Sequence, residues 1–267
     1  MSISKVRLHS YFCAFLILVC MACNGPDKQP DVPKNGGTRS ISYSIIGTFP
    51  HDTSSFTQGL IVYKGELYEG TGLKTRSKLM KIDMATGKPT KSISLDSMYF
   101  GEGVTILRDT IYQLTWEEKV VFVYDLNFRK IKQYKIDTEG WGLTTDGQQL
   151  IVSDGTSNLY FYDPSTFQLL RTQTVTEDGS LSYNLNELEF IDGYIYANQL
   201  NAPYILKIDP VSGFIVGKAN LDSVWTRIKA IDPAADVPNG IAYDTATKKT
   251  YITGKLWPEL YEIQFAK

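Results

Sequence analysis

From about residue 40 onward, short runs of alternating apolar and polar residues recur with turn residues between them. One type of run reads Gly65-Glu66-Leu67-Tyr68, Thr110-Ile111-Tyr112, Gln149-Leu150-Ile151-Val152, Gly193-Tyr194-Ile195-Tyr196 and Lys249-Thr250-Tyr251-Ile252. Each has the length and residue types of a half-buried strand. A second type follows each of them and closes on an acid: Met80-Lys81-Ile82-Asp83, Phe122-Val123-Tyr124-Asp125, Tyr160-Phe161-Tyr162-Asp163, Ile205-Leu206-Lys207-Ile208-Asp209 and Leu260-Tyr261-Glu262. The acids lie roughly 42, 38, 46 and 53 residues apart, in or near the period of one β-propeller blade. Turn residues after several of them (Ala85-Thr86-Gly87, Pro164-Ser165, Pro210-Val211-Ser212-Gly213) suit tight hairpins. The pattern predicts an all-β propeller of about five blades over residues 40–267, and no helical periodicity of useful length competes. A β-sandwich or barrel uses similar short strands but would not repeat them as paired signatures at this period.

The first 22 residues follow a different pattern. Lys5 and Arg7 precede an apolar run from Phe12 to Ala22, the organisation of an export signal and too short to span a bilayer comfortably. All three cysteines, Cys13, Cys20 and Cys23, lie in or just after it. Ala22-Cys23 ends the run much as a bacterial lipoprotein processing site does, which makes Cys23 the expected lipidated residue of an exported, membrane-anchored protein of the cell envelope, on its periplasmic or surface side. Residues 23–39 carry Pro26, Pro30, Pro33, Gly25, Gly36 and Gly37 among polar residues and read as a flexible tether. The domain beyond contains no cysteine, so packing rather than disulfides must hold it together.

Composition narrows the chemistry. Twenty-seven basic residues nearly balance 29 acidic ones, and no basic cluster interleaves with aromatics, so the footprint of a nucleic-acid binder is missing and small or peptide ligands fit better. Beyond the leader there is one histidine, His51, and no cysteine other than Cys23, which removes the usual zinc ligands. No Gly-x-Ser-x-Gly elbow, phosphate loop or dinucleotide fingerprint occurs.

What remains is a set of polar residues set among aromatics and glycines: Phe56-Thr57-Gln58-Gly59-Leu60, Tyr68-Glu69-Gly70-Thr71-Gly72, Tyr99-Phe100-Gly101-Glu102-Gly103, Gln113-Leu114-Thr115-Trp116, Glu139-Gly140-Trp141-Gly142-Leu143, Ser153-Asp154-Gly155-Thr156, Leu185-Asn186-Glu187-Leu188-Glu189, Asn239-Gly240-Ile241-Ala242 and Thr253-Gly254-Lys255-Leu256-Trp257-Pro258. Together, in this order from about Phe49 to Ile263, they resemble the glutamine cyclotransferases (glutaminyl-peptide cyclotransferases) of the papaya-latex and bacterial type. The resemblance implies a five-bladed β-propeller that closes an N-terminal glutamine of a peptide or protein into pyroglutamate and releases ammonia. It also implies a glutamate that works without a catalytic metal or other cofactor; a structural ion in the channel is compatible with every reading.

That reaction sets three tasks. A carboxylate must move a proton from the attacking amine to the departing nitrogen. Glu102 is the candidate, with Gly101 and Gly103 expected to let the backbone turn tightly around it and Phe100 expected to desolvate it. Donors must meet the developing oxyanion, for which Gln58, Asn186 and Lys255 are the candidates. Aromatic walls must fold the flexible glutamine, and Phe56, Phe100, Trp116, Trp141 and Trp257 are expected to supply them. Glu187 is expected at the substrate too, although it and Glu69 could instead hold a neighbouring donor. Trp225 lies outside every motif and is assigned to packing. One departure stands out: Leu200 occupies the place where the family usually has a tryptophan, keeping an apolar wall but losing the indole face and its N–H. Two other classes stay open: a non-catalytic surface propeller that binds peptide or glycan ends, and a calcium-dependent lactonase-like hydrolase using acids and amides such as Glu102, Asn186, Asp154 and Asn239.

Overall fold

The computed structural model describes residues 37–266; the leader, Cys23 and most of the tether lie outside the described residues. Strands dominate, and they form five sheets of four strands or more arranged as the blades of a propeller. Blade one runs outward through Thr57–Tyr63, Glu66–Thr71, Lys78–Asp83 and Lys88–Ser94, and blade two through Gly101–Leu107, Thr110–Thr115, Val120–Asp125 and Lys130–Lys135. Blade three uses Leu143–Thr145, Leu150–Ser153, Asn158–Tyr162 and Leu169–Thr174; blade four uses Leu185–Ile191, Tyr194–Gln199, Tyr204–Ile208 and Ile215–Asn220. Blade five takes Pro238–Asp244, Lys249–Gly254 and Glu259–Phe265 from the end of the chain and its outer strand, Tyr43–Pro50, from the beginning. The first strands of successive blades touch one another around a closed ring. Among the described residues no helix is long and apolar enough to cross a membrane.

The two recurring runs of the sequence are the second and third strands of each blade, the stretch where both faces pack against neighbouring blades. Burial follows from that position. Strand Val120–Asp125 is buried at every residue but its last, whereas the outer strand Lys130–Lys135 is exposed at all but one. Five apolar clusters result, one at each blade-to-blade interface. For example, Ile61, Tyr68 and Leu79 meet Val104, Ile106 and Phe122 between blades one and two.

One helix, α1 (Asp222–Ile231), departs from the sequence expectation. It follows blade four and inserts Val224 and Ile228, one turn apart on the same face, into the cluster between blades four and five. Asp222 in the first turn and Lys229 in the last suit the helix dipole. Trp225 packs partly buried against the same cluster.

Candidate active site

The site grows out of one register position repeated around the ring. Gln58, Glu102, Asn186 and Asn239 are each the second residue of the innermost strand of their blade, and Trp141 directly precedes the strand of blade three by one glycine. In blades one, two, four and five the pairing register shifts at this point, between Thr57 and Gly59, Gly101 and Val104, Leu185 and Leu188, and Pro238 and Ile241. Such bulges twist the strand and re-aim the side chain.

The residue after each is glycine in four blades; in three of them the inner strands nearly touch there, and in the fourth, Gly240 has a φ of +123°. A Cβ on Gly59 would strike the backbone of Val104, one on Gly103 the backbone of Leu143 and Trp141, and one on Gly142 the carbonyl of Asn186. The expectation that Gly101 and Gly103 form a tight turn is therefore corrected: both lie in an extended strand, and their role is close approach between strands. Blade four carries Glu187 instead of glycine, and its carboxylate crosses the channel to accept the N–H of Leu60 at 3.2 Å and of Ile241 at 2.8 Å.

A second ring lies just above, at the residue that follows each blade's second strand. Trp116, Leu200 and Lys255 occupy it in blades two, four and five. In blade one the position is Gly72, where any side chain would collide with Phe100 and Gln58, and in blade three it is Asp154, whose carboxylate serves its own turn by accepting from Thr156. Gly155, at φ +78°, makes room for the Trp141 indole.

Together the two rings enclose a cavity of about 250 Å³ lined by Phe56, Gln58, Phe100, Glu102, Trp116, Trp141, Asn186, Leu200 and Lys255. Phe56, Phe100 and Trp116 form a continuous edge-to-face wall, with centroids 6.3 and 5.5 Å apart. A larger cavity of about 500 Å³ opens at the opposite ends of the inner strands, where the two buried acids among the lining residues are already engaged: Glu189 by Tyr243 N–H and Thr144 Oγ1, and Asp244 by Ala246 N–H and Thr247 Oγ1. The smaller cavity is the chemically poised one.

Within it Glu102 is only 4% exposed. Its Oε1 accepts the Gln58 amide at 3.0 Å, while its buried Oε2 has no partner among the described residues. Burial pushes the Glu102 carboxyl well above the ordinary carboxylate range; the Lys255 charge pulls it down, and Glu118 and Glu139 push it further up. Burial lowers the Lys255 ammonium, with Glu102 and Asp236 opposing, and that ammonium lies 4.7 Å from the Phe56 ring centre. Gln58 is itself oriented from below, since Asn239 Nδ2 donates to its Oε1 at 3.1 Å and to the Thr57 carbonyl at 2.9 Å. One of the two Gln58 N–H donors is thus engaged by Glu102.

Eight of the sequence candidates meet in this cavity, and two do not. Trp257 is fully buried between blades four and five, with its indole pressed on Gly254 and its Nε1 donating to the Asp236 carbonyl at 2.8 Å. Glu187 lies deeper in the channel, tying blades one and five together. Glu69 is likewise a tie, accepting from Thr57 Oγ1 at 2.7 Å and from His51 Nε2 at 3.2 Å. Two contributors lie in motifs of the sequence, although the motifs alone give them no part in the cyclisation. Asn239 acts through Gln58, and Glu139 accepts the indole N–H of both Trp116, at 2.8 Å, and Trp141, at 3.2 Å. The signal for Glu139 was its place in the Glu139-Gly140-Trp141 cluster; nothing local announces the long-range bond to Trp116.

Comparison with known proteins agrees with this architecture. The family model described as glutamine cyclotransferase matches residues 15–265. A glutaminyl-peptide cyclotransferase of Arabidopsis thaliana is 40% identical over 225 residues, covering 82% of this chain and 70% of its own length. The crystal structure of Myxococcus xanthus glutaminyl cyclase superposes with a TM-score of 0.81 at 32% identity, covering 85% of this chain and 98% of that one. A five-bladed ring whose motifs converge on one buried carboxylate, matched along nearly its whole length by that family, leaves a single assignment: the chain belongs to the glutamine cyclotransferases.

Proposed function

We propose that this chain converts an N-terminal glutamine to pyroglutamate with release of ammonia, and that Glu102 carries the proton between the two nitrogens. The observation that carries the reading is Glu102 Oε2, a buried carboxylate oxygen without a partner among the described residues, in a cavity of about 250 Å³ suited to a single residue. In this mechanism the aromatic wall folds the glutamine so that its α-amine faces its own side-chain amide. The amine nitrogen attacks the amide carbon and gives its proton to Oε2. The new N–C bond closes a five-membered ring, and the carbonyl oxygen becomes an oxyanion met by donors from Asn186, Lys255 and the remaining Gln58 N–H. The C–N bond to the amide nitrogen then breaks, the nitrogen takes the proton from Glu102, and ammonia leaves. A carboxyl raised by burial suits both halves of that transfer, and no metal or other cofactor takes part in this scheme.

Ammonia release from a glutamine-initiated peptide tests it. The purified domain should turn over, and Glu102→Gln should lower kcat by about 10³-fold or more, the loss of the proton shuttle plus its charge. Peptide binding without turnover in the wild-type domain would instead favour a non-catalytic binding module, the reading to which Leu200 in place of an indole points.

We also propose that the protein is exported and anchored in the envelope through lipid on Cys23, a reading supported by Lys5, Arg7 and the apolar run ending at Ala22. Cys23→Ala should move the protein from the membrane to the soluble fraction; unchanged fractionation would discard it.

A further inference from the structure

We propose that Glu139 is a positioning residue for the cyclisation, a single carboxylate oxygen holding the indoles of Trp116 and Trp141 as two walls of the cavity in which the glutamine folds. The proposal rests on the cyclotransferase reading above. Indole N–H groups only donate, so two indoles are linked to each other by N–H···O bonds only through a common acceptor. Trp116 stands at the end of the second strand of blade two and Trp141 at the start of blade three, and Glu139, in the connection between the blades, bridges them with Oε2 at 2.8 and 3.2 Å. Trp116 in turn packs edge-on to Phe100 at 5.5 Å, so fixing one indole fixes the aromatic wall behind it. Both tryptophans are only partly buried, and packing alone does not lock them as it locks Trp257.

Glu139 also acts on Glu102 through space. The charged groups facing Glu102 are Lys255 from blade five, Glu118 from the turn after Trp116, and Glu139. Glu118 is itself offset by Lys74 at 3.1 Å and accepts the Phe100 N–H at 3.3 Å. Glu139 has two neutral donors as its recorded partners among the described residues, so its negative charge stays unneutralised next to the cavity and works against ionisation of Glu102.

The test compares Glu139→Ala and Glu139→Gln in the full domain by pH-dependent kinetics on a glutamine-initiated peptide and by ligand-free tryptophan fluorescence. Glu139→Ala frees both indoles and should lower kcat/KM by about 100-fold, the scale of a small misplacement of orienting groups, and should change the emission of the ligand-free protein. Glu139→Gln keeps an acceptor oxygen for both N–H groups, so it should recover most of that loss and the native emission. With the charge gone, the acid limb of its pH profile should move to lower pH. Overturning results are an alanine variant with wild-type emission and kcat/KM, or a glutamine variant as impaired as alanine with an unmoved acid limb. The fluorescence arm does not depend on turnover, so it judges the indole clamp even if the wild-type domain releases no ammonia, an outcome that would sink the cyclotransferase reading instead.

Discussion

At the scale of single residues the site is a relay: Asn239 orients Gln58, and Gln58 orients Glu102. An amide is well suited to the middle place, because its oxygen accepts from one neighbour while its nitrogen donates to the next. Asn239→Leu would remove the donor that decides which way Gln58 faces. About one hydrogen bond of orientation is at stake, so kcat should fall by up to about tenfold. A looser donor to ionised Glu102 should also move the acid limb of the pH profile upward, opposite in sign to the effect of Glu139→Gln. Unchanged kcat and pH profile would remove Asn239 from the relay. The residues that line the cavity were legible in sequence because each sits in its own short motif beside a glycine or an aromatic. Asn239 and Glu139 sit in such motifs too, but their roles were not legible, because what they do is defined by partners 181 and 23 residues away. Trp257 and Glu187 read as site residues for the converse reason: they share motifs with Lys255 and Asn186, but Glu187 is the next residue along the strand from Asn186, and Trp257 lies in the turn beyond Lys255, where its indole folds back on Gly254.

At the scale of elements the repeated unit is an inner strand that begins with a polar side chain aimed at the axis and continues with a residue too small to keep its neighbour away. Gly142→Ala tests that geometry. The added methyl would overlap the Asn186 carbonyl, a backbone atom that cannot move without parting blades three and four. A loss of about 3 kcal/mol is expected, the upper range for overpacking. Gly193→Ala is the control, since nothing lies within 4 Å of its would-be Cβ and only its φ of +88° opposes the change, a strain of about 1 to 2 kcal/mol. Denaturation midpoints would discriminate, and a Gly142 variant no less stable than the Gly193 variant would refute close approach as the reason for the glycine. Strand identity was readable because alternation leaves a local mark, and the two strands that show it best are those packed on both faces. The bulges that aim Gln58, Glu102, Asn186 and Asn239 left none, since a register shift exists only between paired strands. Helix α1 escaped because two buried residues one turn apart, Val224 and Ile228, are too short a stripe to compete with strand signals.

At the scale of the whole molecule the ring is closed by pairing the outer strand of blade five, Tyr43–Pro50 from the beginning of the chain, with its neighbour Glu259–Phe265 from the end. His51 follows the closing strand directly and clamps it. Its Nδ1 lies 2.7 Å from the Trp257 carbonyl and its Nε2 3.2 Å from Glu69, partners that both accept, so the ring serves them best with a proton on each nitrogen. Burial opposes that charge, but Glu69 and the Trp257 carbonyl outweigh it and raise the His51 pKa above its ordinary value. A raised group contributes stability that is complete below its unfolded pKa, about 6.5 for histidine, and that fades as pH climbs through the folded value. The channel carboxyls act in the same direction. Burial raises Glu189 to about 8 and Glu187 well above its ordinary value, against the hydrogen bonds each accepts, so both favour the protonated form more in the folded state than in the unfolded chain. Asp163, lowered to about 2, contributes only at far more acidic pH, and buried Lys255, whose ammonium is lowered by burial, acts in the opposite direction. Thermal stability should therefore decline from about pH 6 to pH 9. Glu189→Gln should flatten the decline between about pH 6 and 8, because its amide carries no charge to desolvate, and His51→Gln should narrow the gap to wild type as pH rises. A melting temperature that is level or rising across that window would show that the closure and the channel are held without these protons.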